Sequence, residues 1–281
     1  MHEAVRAVRR EAPGAAGALD RLERFQDAAT GSGIPAVETE RWLNLARPCV
    51  LLAREADGPV VARLGGPLLL PPDVATPSDP YELGGPDGGV RHADHQLIAT
   101  LDLAAIPEGA TDLPLPPDGQ LLLFANPDLE IGLAGGALYV PAGVAVEERA
   151  TAPDYEPYEY ESPEELDADL RRRGELRLAH DVTLPQHAFD AGLLARHPRA
   201  GDLREVWEDT RDDRPWRVRT LQIGGHAWDH EDWGDPAAGQ DRVLLAQWEG
   251  LPMATVYWTM TRQDLEALRF DRVTVTMYSN P

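Results

Sequence analysis

Two separate segments of the chain contain the same succession of features, and this internal similarity restricts the fold more than any other property of the sequence. In each segment an apolar run ends in a Gly-Gly pair, a loop follows, and two further apolar runs come after it. The pairs are Gly65-Gly66 and Gly224-Gly225. Glycine permits a positive φ or a close backbone approach after a strand. The pattern predicts one sheet assembled from two weakly related, strand-rich halves.

The remainder of the chain has helical patterns or an acidic composition. Residues 1–47 are expected to form an N-terminal helical segment, because apolar residues recur there at helical spacing. Residues 48–281 are expected to form an α+β domain with a mixed or antiparallel sheet. We divide this domain into a first half, an acidic linker, and a second half that includes a helical insertion at 162–207; these parts cover 48–146, 147–161 and 162–281.

Two helices have start signals with a clear physical basis. Ser162 is an expected N-cap, and Glu165 stands at the position that closes a capping box. Gly174 is expected to end that helix, since glycine readily adopts the C-terminal cap conformation. Thr261 is an expected N-cap for a second, short helix, with Asp264 at the box position.

Other local signals predict a hairpin and a broken helix. The apolar runs Cys49–Ala53 and Val60–Leu64 are joined by Ala56-Asp57-Gly58-Pro59, a combination of residues typical of turns. We therefore expect these two runs to pair directly. A helical stretch is expected within 189–207, with an interruption at Pro198.

The charge composition excludes several classes of protein. The chain has 26 basic and 48 acidic residues, a formal net charge of −22, and every basic residue is arginine. Without lysine there is no Schiff-base lysine, no lysine general base and no P-loop lysine. Nucleic acid is not an expected partner, because binding it requires a basic footprint. A basic protein partner suits the charge.

The sequence also predicts the compartment. No apolar run approaches the roughly 20 residues of a transmembrane helix, and the first residues lack the apolar core of a secretory signal. The single cysteine, Cys49, excludes an intrachain disulfide and lies in an apolar run, where a buried and inert thiol is expected. We expect a cytoplasmic protein without a membrane partner.

Several short motifs resemble the YwqG-like family, a bacterial domain of unknown function. The resemblance covers roughly residues 48–278. It implies an α+β fold with a substantial mixed or antiparallel sheet, and it brings no established catalytic residues. The chain departs from the family at Thr100, where a glutamine is usual, and at Thr76-Pro77, which replaces Trp-Pro. The motifs that carry the resemblance are 65–71, 97–103, 115–116, 119–124, 224–226, 244–247, 257–258, 263–265 and 270–271.

A cluster of histidines and acids after the second glycine pair is a candidate divalent-metal site. His226 and His230 are four residues apart, which places both imidazoles on one face if the segment is helical, with Asp232 as an oxygen ligand. Such a site predicts a metal-dependent hydrolase in which Asp229 or Glu231 supplies an oxygen or a base. The alternative is a polar loop without metal, favoured by the preceding glycines. His92 and His95 are further acid/base candidates, or exposed loop histidines.

The leading functional hypothesis is a non-catalytic binding or interaction module that requires no cofactor. Its partner would be a basic protein, as in an immunity-type pair, or a small molecule. The acidic, tyrosine-bearing segment 154–161 is a candidate interaction surface or a solvated linker. The expected ligand site lies around the two glycine pairs and consists of Gly65, Gly66, Gly224, Gly225, His226, Gln247 and Trp248.

Overall fold

The chain forms an α+β fold in which short helices surround a large sheet. The computed structural model describes residues 16–82, 90–127, 134–157, 159–186, 191–210, 221–228, 234–238, 241–251 and 254–279. The helices are α1 (Ala16–Gly31), α2 (Ala36–Leu43), α3 (Pro163–Arg173), α4 (Ala191–Arg196), α5 (Ala200–Asp209) and α6 (Arg262–Glu266). None of the helices within these ranges has the length and apolar character needed to cross a membrane.

The described residues form fourteen strands. They are β1 (Arg47–Ala53), β2 (Val60–Leu64), β3 (Leu68–Leu70), β4 (Ser78–Glu82), β5 (Val90–Asp94), β6 (Leu97–Asp102), β7 (Gln120–Asn126), β8 (Ala134–Val140), β9 (Glu147–Arg149), β10 (Glu175–Thr183), β11 (Leu221–Gly224), β12 (Arg242–Leu251), β13 (Ala254–Thr261) and β14 (Thr274–Ser279).

Ten of these strands form one antiparallel sheet in the order β14-β13-β12-β11-β1-β10-β2-β6-β7-β8. The α+β class with an antiparallel sheet is therefore confirmed. The remaining strands form two small sheets, β3 with β9 and β4 with β5. Because β9 lies within 147–161, part of the segment expected to be a linker is paired in a sheet.

The sheet is built from two equivalent sets of five strands, and counting inwards from either edge brings the reader to corresponding strands of the two halves, with β1 corresponding to β10. Each half of the chain contributes five strands, β1, β2, β6, β7 and β8 from the first and β10 to β14 from the second. The first strands of the two halves are exchanged, so that β10 lies between β1 and β2, and β1 lies between β10 and β11. The two halves are thus interleaved at the centre of the sheet.

The expected hairpin between β1 and β2 is wrong. Both strands form, but β10 separates them and pairs with each. The connection at 54–59 crosses β10, where the Gly58 N–H donates to the Leu178 carbonyl at 3.1 Å and the Leu178 N–H donates to the Pro59 carbonyl at 2.9 Å. Six residues easily span the roughly 10 Å across one intervening strand. Turn-forming residues therefore do not determine which strands pair.

The sheet curls until its edge strands, β8 and β14, come into contact. Trp258 on β13 is fully buried between them and reaches across to the opposite edge. Its indole N–H lies 3.0 Å from the Phe124 carbonyl of β7 and 3.1 Å from the Gly136 carbonyl of β8. Tyr139 and Phe270 pack together at the same junction, with ring centroids 5.9 Å apart. Curling gives the sheet an enclosed inner face and an outer face.

The inner face holds the main hydrophobic core, and the outer face is covered in patches. Alternate residues on the strands point inwards, as in Val50 and Leu52 of β1 and Val256 and Trp258 of β13. Helices α1, α2 and α5 form a second cluster on the outside, where Phe25 and Trp207 pack edge to face with centroids 5.6 Å apart. Cys49 is fully buried, as expected.

The local helix signals in the sequence are confirmed. The Ser162 hydroxyl accepts a hydrogen bond from the Glu165 N–H at the start of α3, and Gly174 is its C-cap with a φ of 68°. The Thr261 hydroxyl caps α6 by accepting from the Asp264 N–H. Pro198 lies in the gap between α4 and α5. These signals succeed because each depends on residues within one helical turn.

Asp169 on α3 is the centre of a charged network that holds this helix against the sheet. Its carboxylate accepts from the Tyr160 hydroxyl at 2.9 Å and lies 2.5 Å from an Arg173 Nη2 atom, with Arg172 as a third partner. Arg173 also donates to the Gly250 carbonyl of β12 at 2.6 Å. Burial tends to raise the pKa of Asp169, but the hydrogen bonds and the arginine charge lower it overall.

Replacing Asp169 with asparagine is expected to lower the free energy of unfolding by about 1–3 kcal/mol at pH 7, because Asp169 is nearly buried and the half-buried Tyr160 and Arg173 lose their charged partner. The pKa of Asp169 in the folded state therefore lies below its ordinary value. The stabilisation is therefore present above that value and is lost as the pH falls through the folded-state pKa. Urea unfolding of both proteins at pH 7 and at acid pH measures this.

Asp167→Asn on the same helix is the matched control, since Asp167 pairs with the exposed Arg171 four residues away. Its expected cost is below about 0.5 kcal/mol. Equal costs for the two substitutions at pH 7 would contradict the role given to the Asp169 network.

Candidate functional site

The two glycine pairs occupy corresponding positions in the sheet. Gly65 and Gly66 follow β2 with φ values of 57° and 103°, and Gly224 and Gly225 end β11 with values of 71° and 77°. Two residues before the first glycine of each pair, Arg63 lies opposite Thr100 on the neighbouring strand, and Gln222 lies opposite Gln247. This register matches the residues of one half with those of the other, position by position.

In the second half a row of polar side chains holds the loop that follows Gly225. Gln247 receives the Trp228 N–H on Oε1 at 2.8 Å and donates from Nε2 to the Trp228 carbonyl at 2.7 Å. The Tyr257 hydroxyl donates to the same carbonyl at 2.9 Å. Gln222 donates to the carbonyls of Gly224 and His226, both at 2.9 Å. Gln247, placed in the candidate site, therefore fixes the loop by satisfying its backbone.

Gly225 permits the close approach that brings this loop onto the sheet. A Cβ atom at this position would lie 2.5 Å from the Thr183 Oγ1 atom and 2.9 Å from the Cys49 Cβ atom. The Thr183 hydroxyl also accepts the His226 N–H at 2.7 Å. The turn is thus anchored to β10 and packed against β1. This is the close backbone approach for which a glycine was expected.

The His226 ring faces the end of the N-terminal helices. Its Nε2 atom lies 2.7 Å from the Leu45 carbonyl. A carbonyl oxygen only accepts, so Nε2 carries the proton in this contact. His230 and Asp232, the other predicted metal ligands, lie outside the described residues, as do Asp229 and Glu231. Among the residues that the structure does describe, no group of three or more His, Cys, Asp or Glu is arranged to hold a metal ion.

His226 and Gly225 line a pocket of about 250 Å³ at the end of the sheet, which we call the arginine pocket. Its charged lining comes from distant parts of the sequence: Arg47 at the start of β1, Arg196 at the end of α4, Arg242 at the start of β12, and Asp235. Three guanidinium groups face one carboxylate. The pocket is a concentrated positive site in a chain whose net charge is −22.

The arginines of this pocket have few competing partners within the described ranges. Arg47 lies 3.8 Å from the Asp112 carboxylate, and Arg242 donates to the Thr259 hydroxyl at 2.5 Å. The Asp235 carboxylate accepts the Ala237 N–H at 2.8 Å. Among the residues that the structure describes, the ion-pair partner of Arg47 is Asp112, and Asp235 is the carboxylate in the pocket lining. Guanidinium groups bind carboxylate and phosphate oxygens with well-defined geometry.

The seven residues of the expected ligand site lie in several separate environments. Gly225 and His226 line the arginine pocket, and Gly65 lines a separate groove in the first half. Gly66 accepts a hydrogen bond from Arg171 through its carbonyl at 3.0 Å. Gly224 is buried against Thr111 and Leu113, and Gln247 is buried beneath Trp228. Trp248 is fully buried in the inner core.

Sequence reasoning missed the three arginines that give the pocket its charge. They stand far apart in a sequence that contains 26 arginines, and no spacing relates them. The signal that was available is the position of Arg242, at the start of the apolar run that follows the second glycine pair.

The acid/base candidates His92 and His95 differ in their surroundings. His92 is exposed, but His95 is buried, with its Nε2 atom 3.1 Å from an oxygen of Asp79. Burial lowers the pKa of His95, and the nearby Asp79 carboxylate only partly opposes this effect. His95 is therefore a neutral, buried imidazole near pH 7, in contrast to the exposed loop histidine considered from the sequence.

Comparison with protein-family models finds no match for this chain, and comparison with curated proteins finds none. The candidate site is accordingly judged from its own geometry.

Proposed function

We propose that this protein is a non-catalytic binding protein that holds a small anionic molecule in the arginine pocket. The observation that carries the proposal is the convergence of Arg47, Arg196 and Arg242 with His226 on one pocket. Charged residues of one sign lining a cleft raise the local concentration of ligands of the opposite sign. In a strongly acidic chain, this local excess of positive charge is not a consequence of composition.

The size and shape of the pocket restrict the ligand. About 250 Å³ is below the usual range for drug-sized ligands, so a small molecule is expected. Guanidinium groups favour oxyanions that accept two parallel hydrogen bonds. We therefore propose a compact di-acid or a phosphate monoester as the ligand class. The apolar lining at Leu45, Pro185 and Leu193 accommodates its carbon skeleton.

The turn at Gly225 gives this site a fixed wall. Gln222, Gln247 and Tyr257 hold the backbone carbonyls of His226 and Trp228, so this part of the wall is already in place when a ligand binds. A preorganised wall with charged side chains opposite to it suits reversible binding. The resemblance of residues 48–278 to the YwqG-like family agrees with this proposal, since that family brings no catalytic residues.

Isothermal titration calorimetry with citrate and with phosphoserine tests the proposal. Arg196→Ala removes a guanidinium from an exposed position of the lining, and Arg242→Gln removes a second one. Each substitution is expected to weaken the binding of at least one of these anions about tenfold or more, which corresponds to about 1.4 kcal/mol. Binding should also weaken as salt is added.

Arg54→Ala, in the exposed turn after β1, is the matched control and is expected to leave the affinity unchanged. The proposal fails if neither anion binds, or if Arg54→Ala reduces the affinity as much as Arg196→Ala does. Thermal unfolding of each variant identifies any loss that comes from misfolding.

A further inference from the structure

The outer face of the first half carries an open groove over β2, β6 and β7, which we call the first-half groove. It has a volume of about 320 Å³ and lies apart from the arginine pocket. Its polar lining includes Arg63, Thr100, Asp102 and Glu175, and the half-buried Leu69 and Val60 contribute apolar surface. The groove contains Gly65, so it is the first-half counterpart of the region beside Gly224.

The strand register identifies the residues that occupy the same place in the second half. Arg63 opposite Thr100 corresponds to Gln222 opposite Gln247, and Asp102 corresponds to Glu249. Leu69 corresponds to Trp228, because each lies three residues after the second glycine of its pair. Gln222, Trp228 and Glu249 all line one cavity on the outer face of the second half. The cavity and the first-half groove are therefore equivalent positions in the two halves.

These equivalent positions differ in what covers them. The second-half cavity has a volume of only about 40 Å³, because Arg21 of α1 and Trp207 of α5 form part of its wall. No helix of the described chain covers the first-half groove in the same way, and about 320 Å³ remains open. One of the two faces is closed by α1 of the chain itself, and no helix among the described residues lines the other.

The covering helix presents an arginine to the second-half face. The Arg21 guanidinium lies 3.6 Å from the centroid of the Trp207 ring and 3.7 Å from a carboxylate oxygen of Asp181. Its side chain is 5% exposed, so the arginine is almost completely buried at this contact. The chain thus provides its own example of how a basic residue on a helix is accommodated on this type of surface.

The charges of the first-half groove favour a basic occupant. Arg63 and Glu175 neutralise each other, with a guanidinium nitrogen and a carboxylate oxygen 2.8 Å apart. Asp102 is exposed beside the apolar floor. The net charge of −22 adds a long-range attraction for cations. A partner helix with apolar residues and an arginine or lysine matches both the floor and the charge.

We propose that the first-half groove docks an amphipathic, basic helix of a protein partner, in the position that α1 occupies on the other half. The basic residue of the partner helix pairs with Asp102, and its apolar side chains contact Leu69 and Val60. This surface is separate from the arginine pocket, and it assigns a position to the basic partner that the charge composition suggests.

Fluorescence anisotropy with a labelled amphipathic helical peptide of leucine, alanine and arginine tests this docking site. The same peptide with each arginine replaced by glutamate is expected to bind at least about tenfold more weakly. Asp102→Asn is expected to weaken binding of the arginine peptide severalfold. This substitution retains the side-chain oxygen that accepts the Ala104 N–H at 3.1 Å, so the fold is preserved.

Leu69→Trp is a second variant with an independent rationale, because it places in the groove the residue found at the equivalent position in the other half. It is expected to fill the groove and to weaken peptide binding about tenfold or more. Glu108→Gln removes an exposed carboxylate outside the groove lining and should leave the affinity unchanged. Arg196→Ala should also have no effect on the peptide.

The proposal is overturned if the arginine peptide does not bind, or if Glu108→Gln weakens binding as much as Asp102→Asn does, which would indicate general charge attraction. It is also overturned if folded Leu69→Trp binds the peptide as well as the wild type. If the wild-type protein binds neither citrate nor phosphoserine, the proposed function is refuted and this inference is unaffected.

Discussion

Replacing Trp258 with alanine is expected to lower the free energy of unfolding by about 3–5 kcal/mol, the range found when a large aromatic residue is removed from a protein core. Trp258 is fully buried and fills the space where the two edges of the curled sheet meet. Its removal leaves a cavity between β13 and the strands β7 and β8. Because domains are only marginally stable, a loss of this size is a large fraction of the total.

The effect should have two separable parts, packing and hydrogen bonding. Trp258→Phe keeps most of the aromatic volume but removes the N–H that lies near the carbonyls of Phe124 and Gly136. Its expected cost is about 1–3 kcal/mol, the usual penalty for leaving a buried polar group without its partner. Urea unfolding at pH 7 measures both variants. If Trp258→Ala costs less stability than Trp258→Phe, this account of how the edges of the sheet are held together is wrong.

Replacing Gly225 with alanine is the second large expected effect, with a loss of about 2–5 kcal/mol from backbone strain and overpacking together. The φ of 77° already disfavours a side chain. The new methyl group would also lie 2.5 Å from the Thr183 Oγ1 atom and 2.9 Å from the Cys49 Cβ atom. Neither neighbour moves easily, since both are buried in the central strands. We expect the loop to lift from the sheet, with loss of anion binding in the arginine pocket.

Gly143→Ala separates the two causes, because Gly143 has the same φ of 77° but no atom within 4 Å of the added Cβ position. Its expected cost is about 1 kcal/mol from backbone strain alone. Thermal unfolding and anion titration of both variants make the comparison. Similar losses for the two substitutions would mean that contact with Thr183 and Cys49 is unimportant.

The helices were predictable in detail because their signals are local. Ser162, Gly174 and Thr261 act on backbone groups within one turn, and Pro198 disrupts the helix at its own position. Most strands of the large sheet were predictable for the same reason, since they are short apolar runs. The polar strands β4, β5 and β9 were not predicted. The expectation of a helical insertion at 162–207 is wrong in its middle, where Glu175–Thr183 form β10 at the centre of the sheet. The class of the fold follows from these elements, and it is confirmed.

Strand pairing was not predictable, because it depends on residues far apart in the sequence. The turn at 56–59 has the composition of a hairpin loop, yet Leu178 of β10 occupies the space between β1 and β2. The choice between a hairpin and an inserted strand is decided by the burial of β10 in the centre of the sheet. No local feature of residues 49–64 contains that information.

The candidate site was predictable only in part, for a geometric reason. Gln247 and Trp248 were both assigned to it, but adjacent residues of a strand point to opposite faces of a sheet. Gln247 faces the loop, and Trp248 faces the core. The alternation shows that only one of them belongs on the outer face. Arg196 and Arg242 come together through packing of α4 and the loop near β12, which the sequence pattern does not encode.

The exchange of β1 and β10 has a consequence for the synthesis of this protein. During translation β1 emerges early, but its two neighbours begin only at Glu175 and Leu221. Until then its strand edges are unpaired, and such edges in incomplete chains promote aggregation. Pairing across this separation also slows folding, because distant segments must be brought together first. The ribosome-bound first half is therefore an incomplete sheet, and the nascent chain should depend on chaperones until β10 arrives.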